Sequence, residues 1–264
     1  MDKLILGRYI PGDSMIHRLD PRSKLLVMMS FLLIIFWANN LVTNILLFAF
    51  VLLVIFLSKI KMSFFLNGVK PMIGIILFTT LFQVFFTGGQ DVLWQFWILK
   101  VTEEGIQQAG IIFVRFILII FLSTLLTLTT MPLSLADGIE AGLAPLTYVK
   151  IPVHEIGLML SMSLRFVPTL MDDTTRIMNA QRARGVDFGE GSLVQKVKSV
   201  IPILIPLFAS SFKRADALAT AMEARGYQGG EGRTKYRVLK WKLADSLALL
   251  VILCLGILLY YLKS

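Results

Sequence analysis

Five apolar runs constrain this chain more than any other feature: Leu25–Ala38, Leu41–Leu57, Pro71–Phe86, Ile111–Leu128 and Leu247–Leu262. A helix needs about 20 residues, at 1.5 Å each, to cross the hydrocarbon core of a bilayer. Where a run is shorter, its polar flanks complete the crossing or the membrane thins around it. The first run is the shortest, with 14 residues before Asn39–Asn40. The second follows at once, so the asparagine pair reads as a tight hairpin. The expected architecture is all-α, a polytopic membrane helix bundle of about five spans. Composition agrees: 56% of the 264 residues are hydrophobic, 16% are charged and mean hydropathy is +0.76. Soluble domains carry about 25% charged residues.

The chain is basic, with 26 Lys and Arg against 17 Asp and Glu. Such a balance suits nucleic acid, but the charges are placed as membrane topology demands. Lys3, Arg8, Arg18, Arg22 and Lys24 precede the first run, and Lys59, Lys61 and Lys70 follow the second. The Asn39–Asn40 turn is uncharged, and Gly88–Gly110 sets Asp91, Glu103 and Glu104 against Lys100. By the positive-inside rule the N-terminus is cytoplasmic, and no nucleic-acid partner is implied. Trp37, Trp94, Trp97, Trp241, Tyr260 and Tyr261 fall at span ends, where amphipathic rings prefer the headgroup level. No cleavable signal peptide is evident ahead of Leu25. Cys254 is the single cysteine, which excludes an intrachain disulfide.

Residues 131–242 differ in kind. They hold 15 Lys and Arg and 10 Asp and Glu, yet stay rich in Leu, Ile, Met and Phe. The expected organisation is a four-span bundle over 1–130, a cytoplasmic domain of amphipathic helices over 131–242, and a last span over 243–264. A first helix is expected over Ser134–Ala144, with Ser134 and Asp137 in capping-box-like spacing and Pro145 as its stop. Between Ser163 and Gly185, Phe166, Val167, Leu170, Met171, Ile177 and Met178 share one helical face, opposite Arg165, Asp172, Asp173, Arg176 and Asn179. A third helix carries Phe208, Phe212, Ala215, Leu218, Ala219 and Met222 at three- and four-residue spacing. Ile156–Leu164 and Val200–Phe212 are apolar enough to dip into the bilayer, which would raise the count to seven. Pro202 and Pro206 argue against a regular span there.

The sharpest motif is an internal echo: Asn179-Ala180-Gln181-Arg182-Ala183-Arg184-Gly185 against Thr220-Ala221-Met222-Glu223-Ala224-Arg225-Gly226. Each closes an amphipathic helix with Ala-Arg-Gly. Glycine permits the left-handed cap that stops a helix, and arginine suits the negative end of its dipole. Either motif alone is an ordinary helix end. Two on adjacent helices point further, because an arginine on a stiff helix is a five-donor fork able to dock in a groove of another protein.

These paired ends resemble the transmembrane T component of energy-coupling factor transporters, a class of ATP-binding-cassette importers. His17-Arg18-Leu19-Asp20-Pro21-Arg22-Ser23-Lys24-Leu25 resembles that family's approach to its first span. Arg165-Phe166-Val167-Pro168 resembles a motif of its long coupling helix. The resemblance runs from about residue 14 to the last span. It implies that Arg184 and Arg225, flanked by Ala183, Gly185, Ala224 and Gly226, dock into two ABC-type ATPase subunits. It also implies a small membrane-embedded S component against the coupling helices, with Met159, Met162, Met171, Met178, Phe208 and Phe212 as its candidate contacts. The implied function is uptake of vitamins or other micronutrients across the bacterial cell membrane. Whether the module is shared or dedicated stays open, and Met-rich faces, which adapt to different partners, would suit one shared among several S components.

Other chemistry finds little support. A P-loop needs Gly-Lys, and that dipeptide is absent, so ATP and magnesium are expected on partner subunits and no catalytic residue or cofactor here. His17, His154 and Cys254 do not make up a zinc set, and His154 with Glu155 reads as a helix start. Asp172 and Asp173 point about 100° apart on a helix and read as a solvated face. Arg115 is expected to snorkel to the interface. A secondary transporter needs ionisable groups or broken helices at mid-depth, whereas Arg115 and Asp245 sit near span ends. A membrane enzyme lacks His-Glu-x-x-His and Gly-x-Ser-x-Gly here.

Overall fold

The computed structural model describes residues 9–88, 92–96, 99–149, 152–186, 188, 192–229 and 238–262. Lys3, Arg8, Asp91 and Trp97 lie outside them. Two compact units form: Met1–Gly142 with Leu239–Ser264, and Leu143–Val238.

The first unit begins with α1, Pro21–Ile34, which runs into a 3-10 turn at Ile35–Trp37. Its start is written in the sequence: Asp20 accepts the Arg22 N–H at 2.9 Å, and Pro21 takes the first helical position. Helix α2, Leu41–Ser58, opens on a capping box of Asn40 and Thr43 and ends at Lys59 in a left-handed conformation, φ 58°. Next, α3 (Met62–Val69), a 3-10 turn (Lys70–Met72) and α4 (Ile73–Phe86) form one helical rod. The third run therefore starts at Met62, not at Pro71, and Lys70 lies in a helical turn, not a loop. Buried Phe65 and Val69 anchor the added turns. Pro71 sits at the head of the 3-10 turn, where its missing N–H costs least. A hairpin of β1 (Val92–Phe96) and β2 (Leu99–Thr102), in register Phe96↔Leu99, occupies part of what charge alone marks as a loop.

Helix α5, Glu103–Thr129, is capped by Thr102, whose hydroxyl accepts the Gly105 N–H at 3.1 Å. Glu103 and Glu104 in its first turn complement the helix dipole. Helix α6 covers Pro132–Leu143, so Ser134 is a buried third helical residue and not the N-cap. Helix α9 is Leu243–Leu262. Leu41–Ser58, Met62–Phe86, Glu103–Thr129 and Leu243–Leu262 are long and apolar enough to cross a membrane. The first run falls short of that measure, since the 14 residues of α1 extend about 21 Å. It nevertheless runs parallel to α9: Asp20 meets Asp245 at one end, and Trp37 meets Tyr260 edge-to-face, 6.0 Å between centroids, at the other.

The core joins Phe31 and Ile35 with Leu47 and Val51, Phe65, Leu118 and Phe121, and Ile252 and Leu259. Phe65 and Phe121 meet edge-to-face at 5.9 Å. Between α1 and α9 the approach is close: a Cβ on Gly256 would lie 3.0 Å from Ile34 Cδ1. Small residues permit such packing between membrane helices. Gly256→Val is expected to destabilise the unit by about 1–3 kcal/mol, read as an earlier unfolding midpoint in detergent.

The polar ends of this bundle are tied together by the N-terminal signature. Asp245, fully buried, accepts the Asp20 N–H at 2.7 Å on Oδ1 and the Lys242 N–H at 2.8 Å on Oδ2. Ser23 Oγ lies 2.7 Å from the same Oδ1. Lys24 Nζ donates to Thr129 O at 3.0 Å and Thr130 Oγ1 at 3.1 Å, closing the C-terminus of α5. Burial lowers the Lys24 ammonium to about 8 against the pull of Asp245 and Asp20. The His17 ring is held by Ser14 Oγ at 2.6 Å and Ile10 O at 3.1 Å; the carbonyl fixes the proton on Nε2. Arg115 Nη2 donates to Ala38 O at 3.3 Å, at the uncharged turn after α1, and its guanidinium lies 5.1 Å over the Phe36 ring.

The second unit is built on two long helices, α7 (Val153–Ala183) and α8 (Leu193–Ala224). The apolar stretches Ile156–Leu164 and Val200–Phe212 are interior parts of these helices. Pro168 lies inside α7, and Pro202 and Pro206 lie inside α8, so none of them breaks its helix. Ser192 and Gln195 form a capping box that starts α8.

Candidate functional site

Helices α7 and α8 end in the same way. Arg184 is the last residue near helical geometry, Gly185 turns left-handed at φ +86°, and Val186 N–H returns to Gln181 O at 3.0 Å. Gly185 N–H bonds Arg182 O at 2.9 Å. In α8, Gly226 has φ +68°, Tyr227 N–H reaches Met222 O at 3.0 Å, and Gly226 N–H reaches Glu223 O at 2.8 Å. Both are Schellman caps, six-to-one and five-to-two. The two motifs thus repeat in backbone as well as in sequence.

The caps leave Ala183, Arg184 and Gly185 exposed, and likewise Ala224, Arg225 and Gly226. Among the described residues, neither the Arg184 nor the Arg225 guanidinium has an ion-pair or ring partner. Arg182 differs: its guanidinium lies 5.8 Å over the Phe188 ring. Of the two arginines in Gln-Arg-Ala-Arg-Gly, the first lies over Phe188 and the second is exposed.

Two contacts fix how the helices run. Asp173 of α7 pairs with Arg214 of α8, and Gln181 Nε2 of α7 approaches Pro202 O of α8 at 3.5 Å. Rising numbers on one helix meet falling numbers on the other, so they are antiparallel. Each tip arginine follows its member of the ion pair by eleven positions, from 173 to 184 and from 214 to 225. Eleven residues extend about 16 Å, and the tips point opposite ways, so they stand about 33 Å apart along the pair. Two exposed cationic forks are therefore carried at opposite ends of one antiparallel helix pair.

The sequence placed both tips correctly on helix ends and missed what holds them. Asp173 is not on a purely solvated face; it is half-buried against Arg214. The Gln181 contact has a physical cause. Pro206 has no N–H to give the carbonyl four residues earlier, and that carbonyl, Pro202 O, faces Gln181. Of the remaining candidate contacts, Met159, Met171, Phe208 and Phe212 are exposed, while Met162 and Met178 are half-buried. Phe208 and Phe212 extend an exposed apolar face of α8 that includes Val197, Ile201, Leu204 and Ile205. So large a contiguous apolar surface marks a contact with lipid or another protein.

Residues 12–236 match the family model described as cobalt transport protein, CbiQ. The chain belongs to this family. It is 75% identical over 264 residues to the energy-coupling factor transporter transmembrane protein EcfT of Streptococcus equi, covering 100% of this chain and 98% of that one. It is 63% identical over 259 residues to the protein of that name from Lactococcus lactis, covering 98% and 97%, and 49% identical over 264 residues to that from Bacillus subtilis, covering the whole of both. A CbiQ-family chain with membrane-length helices is a transmembrane transport component, and both arginine tips fall within the matched residues.

Proposed function

We propose that this chain couples two ATPase subunits to a substrate-binding S component of an energy-coupling factor importer. The observation that carries this reading is the pair of exposed arginines, Arg184 and Arg225, on identical caps at the two ends of one antiparallel helix pair. Each arginine, at the negative end of its helix, is a preorganised cation for an acidic groove. ATP binding draws the two ATPases together, and their grooves carry the tips with them. Helices α7 and α8 convey that displacement to their exposed apolar faces. Met159, Met171, Phe208 and Phe212, with Met162 and Met178 beside them, hold the S component there. Methionine surfaces repack against different partners, which suits a module shared among several S components.

The chain carries no catalytic residue in this reading: ATP and magnesium are bound by the partner subunits, and the cargo, a vitamin or other micronutrient, by the S component. The N-terminus and the second unit lie on the cytoplasmic side of the bacterial cell membrane. The test is purification of the tagged chain in mild detergent beside an Arg184→Glu/Arg225→Glu variant. The expected outcome is that P-loop ATPases and a small hydrophobic protein accompany the wild-type chain, and that the ATPases are lost from the variant. Equal recovery of ATPases with both chains would show the tips to be helix caps alone.

A further inference from the structure

We propose that the Asp173–Arg214 ion pair is a positioning clamp that makes the tip-bearing ends of α7 and α8 move as one body. The inference rests on the coupling role proposed above and adds the residues through which the two tips are held together.

The pair sits between the helices, with the Asp173 side chain 17% and the Arg214 side chain 34% exposed. Beyond it, toward each tip, neither helix contains a proline or a glycine until the cap: residues 173–183 and 214–224 are uninterrupted. On the other side of the pair, both helices are weakened. Pro168 precedes Asp173 in α7, and Pro202 and Pro206 precede Arg214 in α8. Each proline removes one helical hydrogen bond and presses its ring on the carbonyl four residues back, which is where a helix bends.

A force on one tip therefore flexes its helix at the proline before it flexes the stiff stretch that carries the tip. Without a link, each tip swings on its own proline. Asp173 and Arg214 join the two stiff stretches at their bases, at equal distance from the two arginines, so displacement of one stretch is imposed on the other. Gln181 adds a second link from the α7 stretch to the proline-weakened part of α8, on the carbonyl of Pro202. The value of the ion pair is directional. A carboxylate on a planar guanidinium resists rotation of one helix against the other, as apolar contacts do not.

The test uses the full-length chain in lipid nanodiscs, with spin labels on Asn179→Cys and Thr220→Cys in a Cys254→Ser background. Both labelled positions are exposed and lie on the stiff stretches. The expected result is a narrow distance distribution that Asp173→Asn or Arg214→Gln widens and that the exchange Asp173→Arg/Arg214→Asp narrows again. In the intact transporter, either single variant is expected to keep its ATPases and its ATP hydrolysis while uptake falls about tenfold, and the exchange to restore uptake. Unchanged width and unchanged uptake in both single variants would overturn the clamp. Loss of the ATPases from the single variants would overturn it too, by assigning the pair to docking. If the wild-type chain recovers no ATPase, the coupling reading fails, and the label distances still decide the clamp.

Discussion

Replacing Asp245 by leucine is expected to destabilise the first unit by about 3–5 kcal/mol, measured by denaturant titration of the purified chain in detergent. Three donors converge on this carboxylate: Asp20 N–H and Ser23 Oγ on Oδ1, Lys242 N–H on Oδ2. The site is fully buried, so water cannot replace the carboxylate. Leucine keeps the branched outline, at a larger volume, but leaves the N–H groups at the start of α1 and the start of α9 unpaired. Hydrogen bonds to an ionised acceptor are worth about 1.5–3 kcal/mol each, and orphaned donors lose their full desolvation cost. Asp245→Asn separates charge from shape. Its oxygen serves the two donors on Oδ1, but its amide NH2 faces the Lys242 N–H, so an intermediate loss of about 1–2 kcal/mol is expected. Lys24 shifts with it: without Asp245, one of the two charges that raise its pKa is gone, and the ammonium moves further down. A leucine variant as stable as the wild-type chain would mean that apolar packing alone joins α1 to α9.

Much of the first unit was legible because hydropathy reports burial in lipid directly. The second, fourth and fifth runs each lie inside an observed helix, and Asp20-Pro21 announces the start of α1 by capping chemistry alone. Helix starts were harder. Helix α5 begins at Glu103, ahead of the apolar run at Ile111, because Thr102 and two acidic residues make a favourable first turn that carries no hydropathy signal. Prolines misled in part. Pro71 reads as the start of its run yet lies within a helical stretch, and Pro202 and Pro206, which argue against a regular span, sit inside α8 without breaking it, since long helices with tertiary partners absorb a missing hydrogen bond. Gln181 shows how: the freed carbonyl of Pro202 finds a donor on the neighbouring helix. Asx and charge patterns could not foretell the Asp173–Arg214 pair, because one-dimensional periodicity assigns a residue to a face but not to a partner. The tips were legible for the opposite reason. A Schellman cap is local, its Ala-Arg-Gly signature is contained in one turn, and its repetition is visible without any fold.

A single reversal at either tip, Arg184→Glu or Arg225→Glu, is expected to reduce ATP-driven uptake nearly as far as both together. Reversing a docked, partly desolvated charge costs about 2–5 kcal/mol, so affinity for that ATPase groove falls by about 30-fold or more. The argument for near-equal single and double losses is mechanical. The tips point opposite ways on one antiparallel pair, so a load is borne only when both ends are held. In the coupling role proposed above, release of one end would leave the other ATPase pulling on a freely moving bar, and closure of the dimer would then do no work on the apolar faces. Residues that act as a unit show such non-additivity: loss of one removes nearly the whole effect, and the second loss adds little. Uptake of labelled substrate into proteoliposomes, with ATP supplied to the ATPase side, gives the three values needed. Half the wild-type rate in each single variant, with none in the double, would instead mean that each tip drives transport independently. Conservative Arg184→Lys and Arg225→Lys variants refine the reading. Lysine keeps the charge and the helix cap but lacks the planar fork, so a partial loss identifies directional docking, and full activity identifies a simple electrostatic contact.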